Sequence, residues 1–564
     1  MIGSQSKLKK FLLLLCLISI HGYGQKSPGQ TLYSIGNSTA AYLVDTNGTT
    51  SHTWTFASTS KTGYSTHMMP GGDIWRSIAR TGNSFSGGGM CGEIQKVDYN
   101  GNVLWDFVYS STSYCTHHDH CPLPNGNVLL IVYETKTASE VSAAGCTQSI
   151  LMWSEKVIEV QPTGPTTGTI VWEWHIWDHL VQSVDSGKAN YQTSIVDHPE
   201  LLNINYATTK DWMHMNGIDY NPILDQIVVS SHYLNEWYVI DHSTTSSEAA
   251  SHSGGLSGHG GDILFRWGNP AAYNATGTRI LNVTHDSHWI KEGSPNAGYL
   301  VGYNNRGVSN SQSAVDQIEP PLVGYNYTRT PGNAYLPATY DIRHACNGYS
   351  SNMGGSQQLP NGNMLVCMAT AGLIYEVNPA GTTLWSKTTT GSVAQSFRYD
   401  DCYINNTAPA IPEITESGDT LYATSATSYQ WYLNGVQIST ATDSYFVPDV
   451  DGVYLVRVTD VNGCLYSYSL SYRYVALQNK INNVSSNQLN ISVYPNPSNG
   501  IVYLKNVQSL KNYSIYVFNT IGENILMVKN TDQIDLSNHP KGLYAVSIVI
   551  PGYPTLNKKI SITQ

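Results

Sequence analysis

Charged residues are scarce in this chain. Asp, Glu, Lys and Arg make up 12% of it, about half the share usual for soluble domains. Basic residues are scarcer still: 29 Lys and Arg against 40 Asp and Glu give a net charge of −11. With no basic footprint, nucleic acid is not an expected partner. Long apolar runs are also missing. The one candidate, Phe11 to Ile20, is too short to cross a bilayer as a helix, so no membrane span is expected in the mature chain. No pair of cysteines has the CxxC spacing, which argues against a structural zinc site of the usual kind.

What is abundant points elsewhere. The 39 Tyr and 49 Gly, with many Ser, Thr and Asn, predict an all-β protein rich in turns. A length of 564 residues allows several domains, each with its own core. Lys7, Lys9 and Lys10 before the short apolar run, then Gly22-Tyr23-Gly24, read as an export signal over residues 1–24, cleaved after Gly24. Leu15 ahead of Cys16 is too bulky for a typical lipid-attachment site. The eight cysteines that remain, Cys91, Cys115, Cys121, Cys146, Cys346, Cys367, Cys402 and Cys464, are an even number in an exported chain. Disulfides are therefore permitted, but on the order of a hundred pairings exist and the sequence does not choose among them.

From about Pro28 to Thr407 one unit recurs. An apolar strand carrying Glu, Gln or Asp is followed by a Gly-containing turn and a strand that ends in Trp. Copies run from Glu93 to Trp105, Val157 to Trp172, Tyr238 to Trp267 and Ile374 to Trp385. Upstream lies a tight turn, Pro124-Asn125-Gly126-Asn127 or Pro360-Asn361-Gly362-Asn363, or the looser Met69-Pro70-Gly71-Gly72. Four short strands per unit, irregularly spaced, are the pattern of a β-propeller blade. The wide gap from Trp267 to Trp385 leaves room for another blade around Tyr299 to Tyr303, which brings the count to about six. Beyond the linker Ala408-Pro409-Ala410-Ile411-Pro412, residues 413–475 carry alternating strands around Trp431 and Tyr454 and predict a small Ig-like or PKD-like β-sandwich. A second small β-sandwich is expected over residues 482–564.

Histidines gather in four segments of the propeller: His117-His118-Asp119-His120, Asp211 to Asn216 with His214, Ser230 to Glu236 with His232, and Thr284 to Trp289 with His285 and His288. Each lies near the end of an expected inner strand, and inner strands of different blades converge on one axial funnel. Convergent imidazoles can ligate a metal, hold an anion, or divide the roles of nucleophile, acid and base.

Two resemblances sharpen these readings. His117 to Leu130, Asp211-Trp212-Met213-His214-Met215-Asn216, Phe265-Arg266-Trp267-Gly268-Asn269-Pro270, His285-Asp286-Ser287-His288-Trp289 and Asn304-Asn305-Arg306-Gly307, in that order, resemble the arylsulfotransferase family over most of residues 60 to 400. The resemblance implies a six-bladed propeller over residues 28–407 that moves a sulfuryl group from a phenolic sulfate ester to a phenol. It implies no nucleotide donor, cofactor or metal, and a sulfated histidine as intermediate. It places the nucleophile at His285 and assisting histidines at His118 and His214. Where the family's best-studied members have an arginine to clamp the sulfate, the resemblance places His232 here, with Glu236 nearby, a histidine that some relatives share. Arg266 and Arg306 are candidates to restore that charge, and His117, His120 and His288 to complete the binding surface. At the other end, Val493 to Gly500, Lys541-Gly542-Leu543-Tyr544 and Asn557 to Ile560 resemble the type A C-terminal sorting domain of type IX secretion substrates in Bacteroidetes. That implies outer-membrane secretion machinery as a partner, and a product released or anchored at the cell surface.

Two other functions fit the same residues. One is a metal-dependent hydrolase or lyase using His118, Asp119 and His120 beside His285 or His288. The other is a non-catalytic adhesin or glycan-binding propeller, with Trp212 and Trp289 stacking on a ligand.

Overall fold

The computed structural model describes residues 24–475, 491–507, 510, 512–520, 523–550 and 556–563. The expected export signal, through residue 23, and the stretch 476–490 lie outside the described residues. The protein is 47% strand and 5% helix, an all-β propeller followed by two small β-sandwich domains.

The propeller is built from six four-stranded antiparallel sheets in chain order. The innermost strands of the second to sixth sheets are Thr62–Met68, Tyr114–Pro122, Met215–Asn221, Thr284–Trp289 and Gly355–Gln358. The first sheet takes its innermost strand, Ser396–Tyr399, from the far end of the propeller; it pairs with Gln30–Ser34 and so closes the ring. Neighbouring inner strands touch in the same cyclic order.

The repeat seen in the sequence has a mechanical meaning. Trp54, Trp105, Trp172, Trp267 and Trp385 sit on or next to outermost strands and are buried. Four of these indoles donate across to the following sheet or its loops: Trp54 to the Asp98 carbonyl, Trp105 to that of Thr167, Trp172 to the Thr244 hydroxyl and Trp267 to the Pro337 carbonyl. A buried indole N–H usually finds such a partner; that of Trp385 has none among the described residues. The fifth sheet fills the wide Trp gap, with Leu300–Ser309 as its second strand. Its outermost strand carries His344, which reaches the Tyr375 hydroxyl of the sixth sheet at 2.8 Å in place of an indole. The recurring acids pin the tight turns. Glu159 accepts from the Asn127 and Asn125 side chains, and Glu376 accepts from Asn363.

The first sandwich packs Leu421, Trp431, Tyr454, Val456 and Tyr474 between two sheets. It docks on the propeller beyond the far ends of the inner strands. There Glu292 accepts from Arg457 and from the hydroxyls of Tyr432 and Tyr468, and Leu224 packs with Val453 and Tyr325. A disulfide between Cys402 and Cys464 ties the helix Asp401–Asn405 to the sandwich; the other six described cysteines are free. The C-terminal domain, considered separately, encloses Val502, Ile515, Val517, Ile534, Val546, Ile548 and Ile560. Its Pro-Asn-Pro segment is stitched to the closing strand, with the Asn496 amide donating to the Lys559 carbonyl and accepting from the Ser561 N–H.

Candidate active site

Regular pleating sends neighbouring side chains to opposite faces, so three adjacent polar residues cannot share a site on an ideal strand. The inner strands solve this with bulges. Register slips between Thr62 and Thr66, Thr116 and His120, Met215 and Gly217, and His285 and His288 place the irregularity on four inner strands. His118 (φ 51°), His214 (φ 53°) and Asp286 (φ 57°) adopt left-handed backbone, and Val283 does so at φ 60°. Such conformations cost of order 1–3 kcal/mol each, which the packed sheets around them sustain. Bulges re-aim side chains, and here they aim imidazoles at one another.

The result is an arc of four rings. His118 meets His214 with centroids 4.6 Å apart, His214 meets His232 at 5.1 Å, and His232 meets His285 at 5.2 Å. Tyr64 flanks one end at 4.8 Å from His118, and Tyr233 borders His214 at 5.0 Å. His118 and His285 are buried, while Tyr233 is 44% exposed at the rim. A glycine segment lies flat on the arc. A Cβ on Gly89, itself at φ 62°, would come within 2.3 Å of the His118 ring, and one on Gly88 within 3.0 Å of His214.

Three of the four rings are oriented by a hydrogen-bond partner, His118 by His117, His214 by Asp211 and Tyr133, and His285 by Asn305. Asn305 donates its amide to the carbonyls of Ser350 and Met353, so its oxygen faces His285 Nδ1 at 2.7 Å. His285 is therefore the Nδ1–H tautomer with its lone pair on Nε2. The Met353 N–H approaches that lone pair at 3.2 Å. Asp211 holds His214 Nδ1 at 2.7 Å, and the Tyr133 hydroxyl meets the same nitrogen at 3.0 Å. Asp211 and Asn305 lay inside segments already of interest. Tyr133, Met353, the glycines and Glu155, which meets His117 Nε2 at 2.8 Å, are distant in sequence and had no local signal.

Electrostatically, three of the four rings, His118, His232 and His285, are held neutral. Burial first, then the neighbouring imidazoles, pushes His118 well below the ordinary histidine value. His285 is likewise held well below by burial and by His232. His232 is lowered to about 4 by burial and His214, with the charge of Arg306 adding to the effect. Neutral imidazoles at physiological pH suit a nucleophile and a proton-transfer partner. They do not suit a standing cation clamp, so His232 does not replace an arginine's charge. Arg306 is exposed at the rim, with its Nε 3.3 Å from the Tyr349 hydroxyl.

Other residues expected in the site lie outside the arc. Glu236 and Arg266 occupy the two outer strands of the fourth sheet and form a fully buried pair, Nε to Oε1 2.9 Å. The guanidinium also donates to the Pro199 and Leu201 carbonyls. Their charges are spent on each other. His120 turns to the Ser65 hydroxyl, 3.0 Å away, and is lowered to about 3 mainly by burial. His288 turns to the Asp286 carbonyl at 2.9 Å. His117 sits behind His118 rather than on the arc. Trp212 and Trp289 are buried in packed cores. His67, Asp119 and His120 offer ligand atoms within 4.8 Å of one another. Both Asp119 oxygens are already taken by His67, the His120 N–H, the Ile218 N–H and Gln395, which satisfies the carboxylate without a metal.

The fold and site thus define an all-β propeller with an arc of imidazoles at its axis. The chain matches the arylsulfotransferase (ASST) family over residues 23–408 and the secretion-system C-terminal sorting domain over residues 492–563. It belongs to the arylsulfotransferase family. No curated protein matches it. Among solved structures it is similar to a protein of unknown function from Bacteroides caccae (11% identity, 66% of this chain and 98% of that one, TM-score 0.36). It is also similar to a periplasmic gluconolactonase of Pseudomonas aeruginosa (10%, 80% and 97%, TM-score 0.32). A streptogramin B lyase is a third such structure (10%, 72% and 92%, TM-score 0.31). Similarities at that level say nothing of activity. The sorting domain marks the protein for the cell surface or release, and no helix among the described residues is long and apolar enough to cross a membrane.

Proposed function

We propose that this sulfotransferase-family propeller, six-bladed over residues 28–407, moves a sulfuryl group from a phenolic sulfate ester to a phenol without a nucleotide donor, through a sulfated His285. The observation that carries the reading is the fixed tautomer of His285: Asn305 holds Nδ1–H and leaves the Nε2 lone pair beside His232 and His214. In the first half-reaction Nε2 attacks sulfur, the S–O bond to the phenol breaks, and the departing phenolate takes a proton from His118 or His214. The acceptor phenol then loses its proton to the same group, attacks sulfur and frees His285. Charge spreads over the SO3 oxygens in both transition states, where polarised N–H groups stabilise it. The Met353 N–H, released from the lone pair as the bond forms, is placed to donate to one of them. Arg306 supplies positive potential from the rim. The sandwich over residues 413–475 is a spacer, and residues 482–564 engage the secretion machinery.

The test is turnover of an aryl sulfate with a phenol acceptor by wild type and His285→Ala. A fall of about a thousandfold or more is expected. Equal turnover removes His285 from the mechanism.

A further inference from the structure

Behind the arc lies a hydrogen-bonded chain that the assignment of three catalytic histidines does not use. Glu155 Oε2 is 2.8 Å from His117 Nε2, and both side chains are completely buried. His117 Nδ1 is 2.8 Å from His118 Nδ1. Two imidazole nitrogens at that distance share one proton, so the tautomers along the chain are coupled. The His117 ring is clamped against Tyr133, with centroids 3.6 Å apart and planes 7° apart, and Glu155 Oε1 accepts from the Met215 N–H at 2.9 Å. The bulge at His118 makes the contact possible, because it turns two consecutive histidines toward each other.

We infer that Glu155, His117 and His118 form a buried proton relay in which Glu155 stores the proton that His118 exchanges with the phenol oxygen. This rests on the sulfuryl-transfer reading. The chain has two states. In one, the Glu155 carboxyl donates to His117 Nε2, His117 Nδ1–H donates to His118 Nδ1, and His118 carries its proton on Nε2. When the phenolate leaves, Nε2 gives it that proton. His118 Nδ1 takes the proton of His117, and His117 Nε2 takes the proton of Glu155. The second state has a Glu155 carboxylate, stabilised by the Met215 N–H, and a bare His118 Nε2. The acceptor phenol then delivers its proton to that nitrogen, and the chain runs backward. Each half-reaction moves one proton and no imidazolium persists. Burial supports the first state at rest, since it raises the Glu155 carboxyl well above the usual range and holds His117 well below its own. Glu155 and His117 act through His118 and touch no substrate.

Glu155→Gln keeps a donor to His117 but cannot release a proton. With donors of graded leaving-group acidity, kcat for phenyl sulfate is expected to fall about a hundredfold, while 4-nitrophenyl sulfate, whose phenolate leaves unaided, changes by less than about threefold. His117→Asn, which cuts the chain and keeps Glu155, is expected to give the same selectivity. A uniform loss across the series, or none, overturns the relay while leaving sulfuryl transfer standing. A second readout needs no turnover. The infrared carbonyl band of a neutral glutamic acid, assigned by carboxyl-13C glutamate labelling and by its loss in Glu155→Gln, is expected at neutral pH. An ionised Glu155 in the unliganded protein overturns the relay, whether or not the protein transfers sulfate.

Discussion

The third and sixth sheets carry the same Pro-Asn-Gly-Asn turn, pinned by the same kind of buried glutamate, yet only the third contributes a ring to the histidine arc. In the sixth sheet the inner strand Gly355–Gln358 pairs with Met364–Met368 in unbroken register. In the third, Tyr114–Pro122 slips by inserted residues between Thr116 and His120, and His118 enters the left-handed region. The turn and its acid are scaffold. The bulge is what converts a blade into part of a site, because it frees side chains from strict alternation and lets His117 and His118 meet.

The sharpest way to break this contrast is at the bulge itself. His118→Ala is expected to lower turnover by roughly 10²–10⁴-fold, whereas His120→Ala, two residues along but turned to Ser65, changes turnover by less than about tenfold. Steady-state kinetics on the two proteins checks the difference, and equal losses contradict it. Gly89→Ala places a Cβ against the His118 ring and is expected to reduce turnover by at least about tenfold. Circular dichroism is expected to remain that of the wild type, because the clash is local.

The scaffold shared by the two sheets gives smaller effects, on stability rather than rate. Asn127→Ala and Asn363→Ala each remove a donor to a buried glutamate and are expected to cost about 1–3 kcal/mol in urea unfolding, with turnover per folded molecule unchanged. A further scaffold contact sets a pH dependence. His242 lies between Asp225 (2.7 Å) and Glu159 (3.0 Å). Although burial opposes its charge, hydrogen bonds to the two carboxylates prevail and raise it to about 9. Its folded value exceeds the unfolded one of about 6.5, so its contribution is complete below pH ~6.5 and fades as pH rises through about 9. The loss is on the order of 3 kcal/mol. Unfolding midpoints of wild type and His242→Gln are expected to converge across that window.

Much of the scaffold was legible in the sequence because it depends on local patterns. The Trp repeat, the acid on the third strand and the tight turns mark sheets wherever they recur, and a gap in the Trp spacing located the fifth sheet. The four histidine segments were legible for the same reason: imidazoles are unusual at strand positions. What was not legible depends on register and on long-range pairing. Glu155 meets His117 only because of how its strand lies in the third sheet. The pair Gly88-Gly89 reads as a loop until His214 and His118 are beneath it. Arg266 and Glu236 attracted notice through their charge, but the outer strands that carry them face each other and not the axis. His232 lies between His214 and His285, yet its burial keeps it uncharged, a property set by neighbours rather than by residue type.

The central claim is a covalent one, and intact mass spectrometry tests it directly. Protein mixed with an aryl sulfate and no acceptor is expected to gain the mass of one SO3 group, mapped by peptide fragmentation to His285 and lost when a phenol is added. No adduct under turnover conditions, or an adduct at another residue with His285 unmodified, would contradict the account.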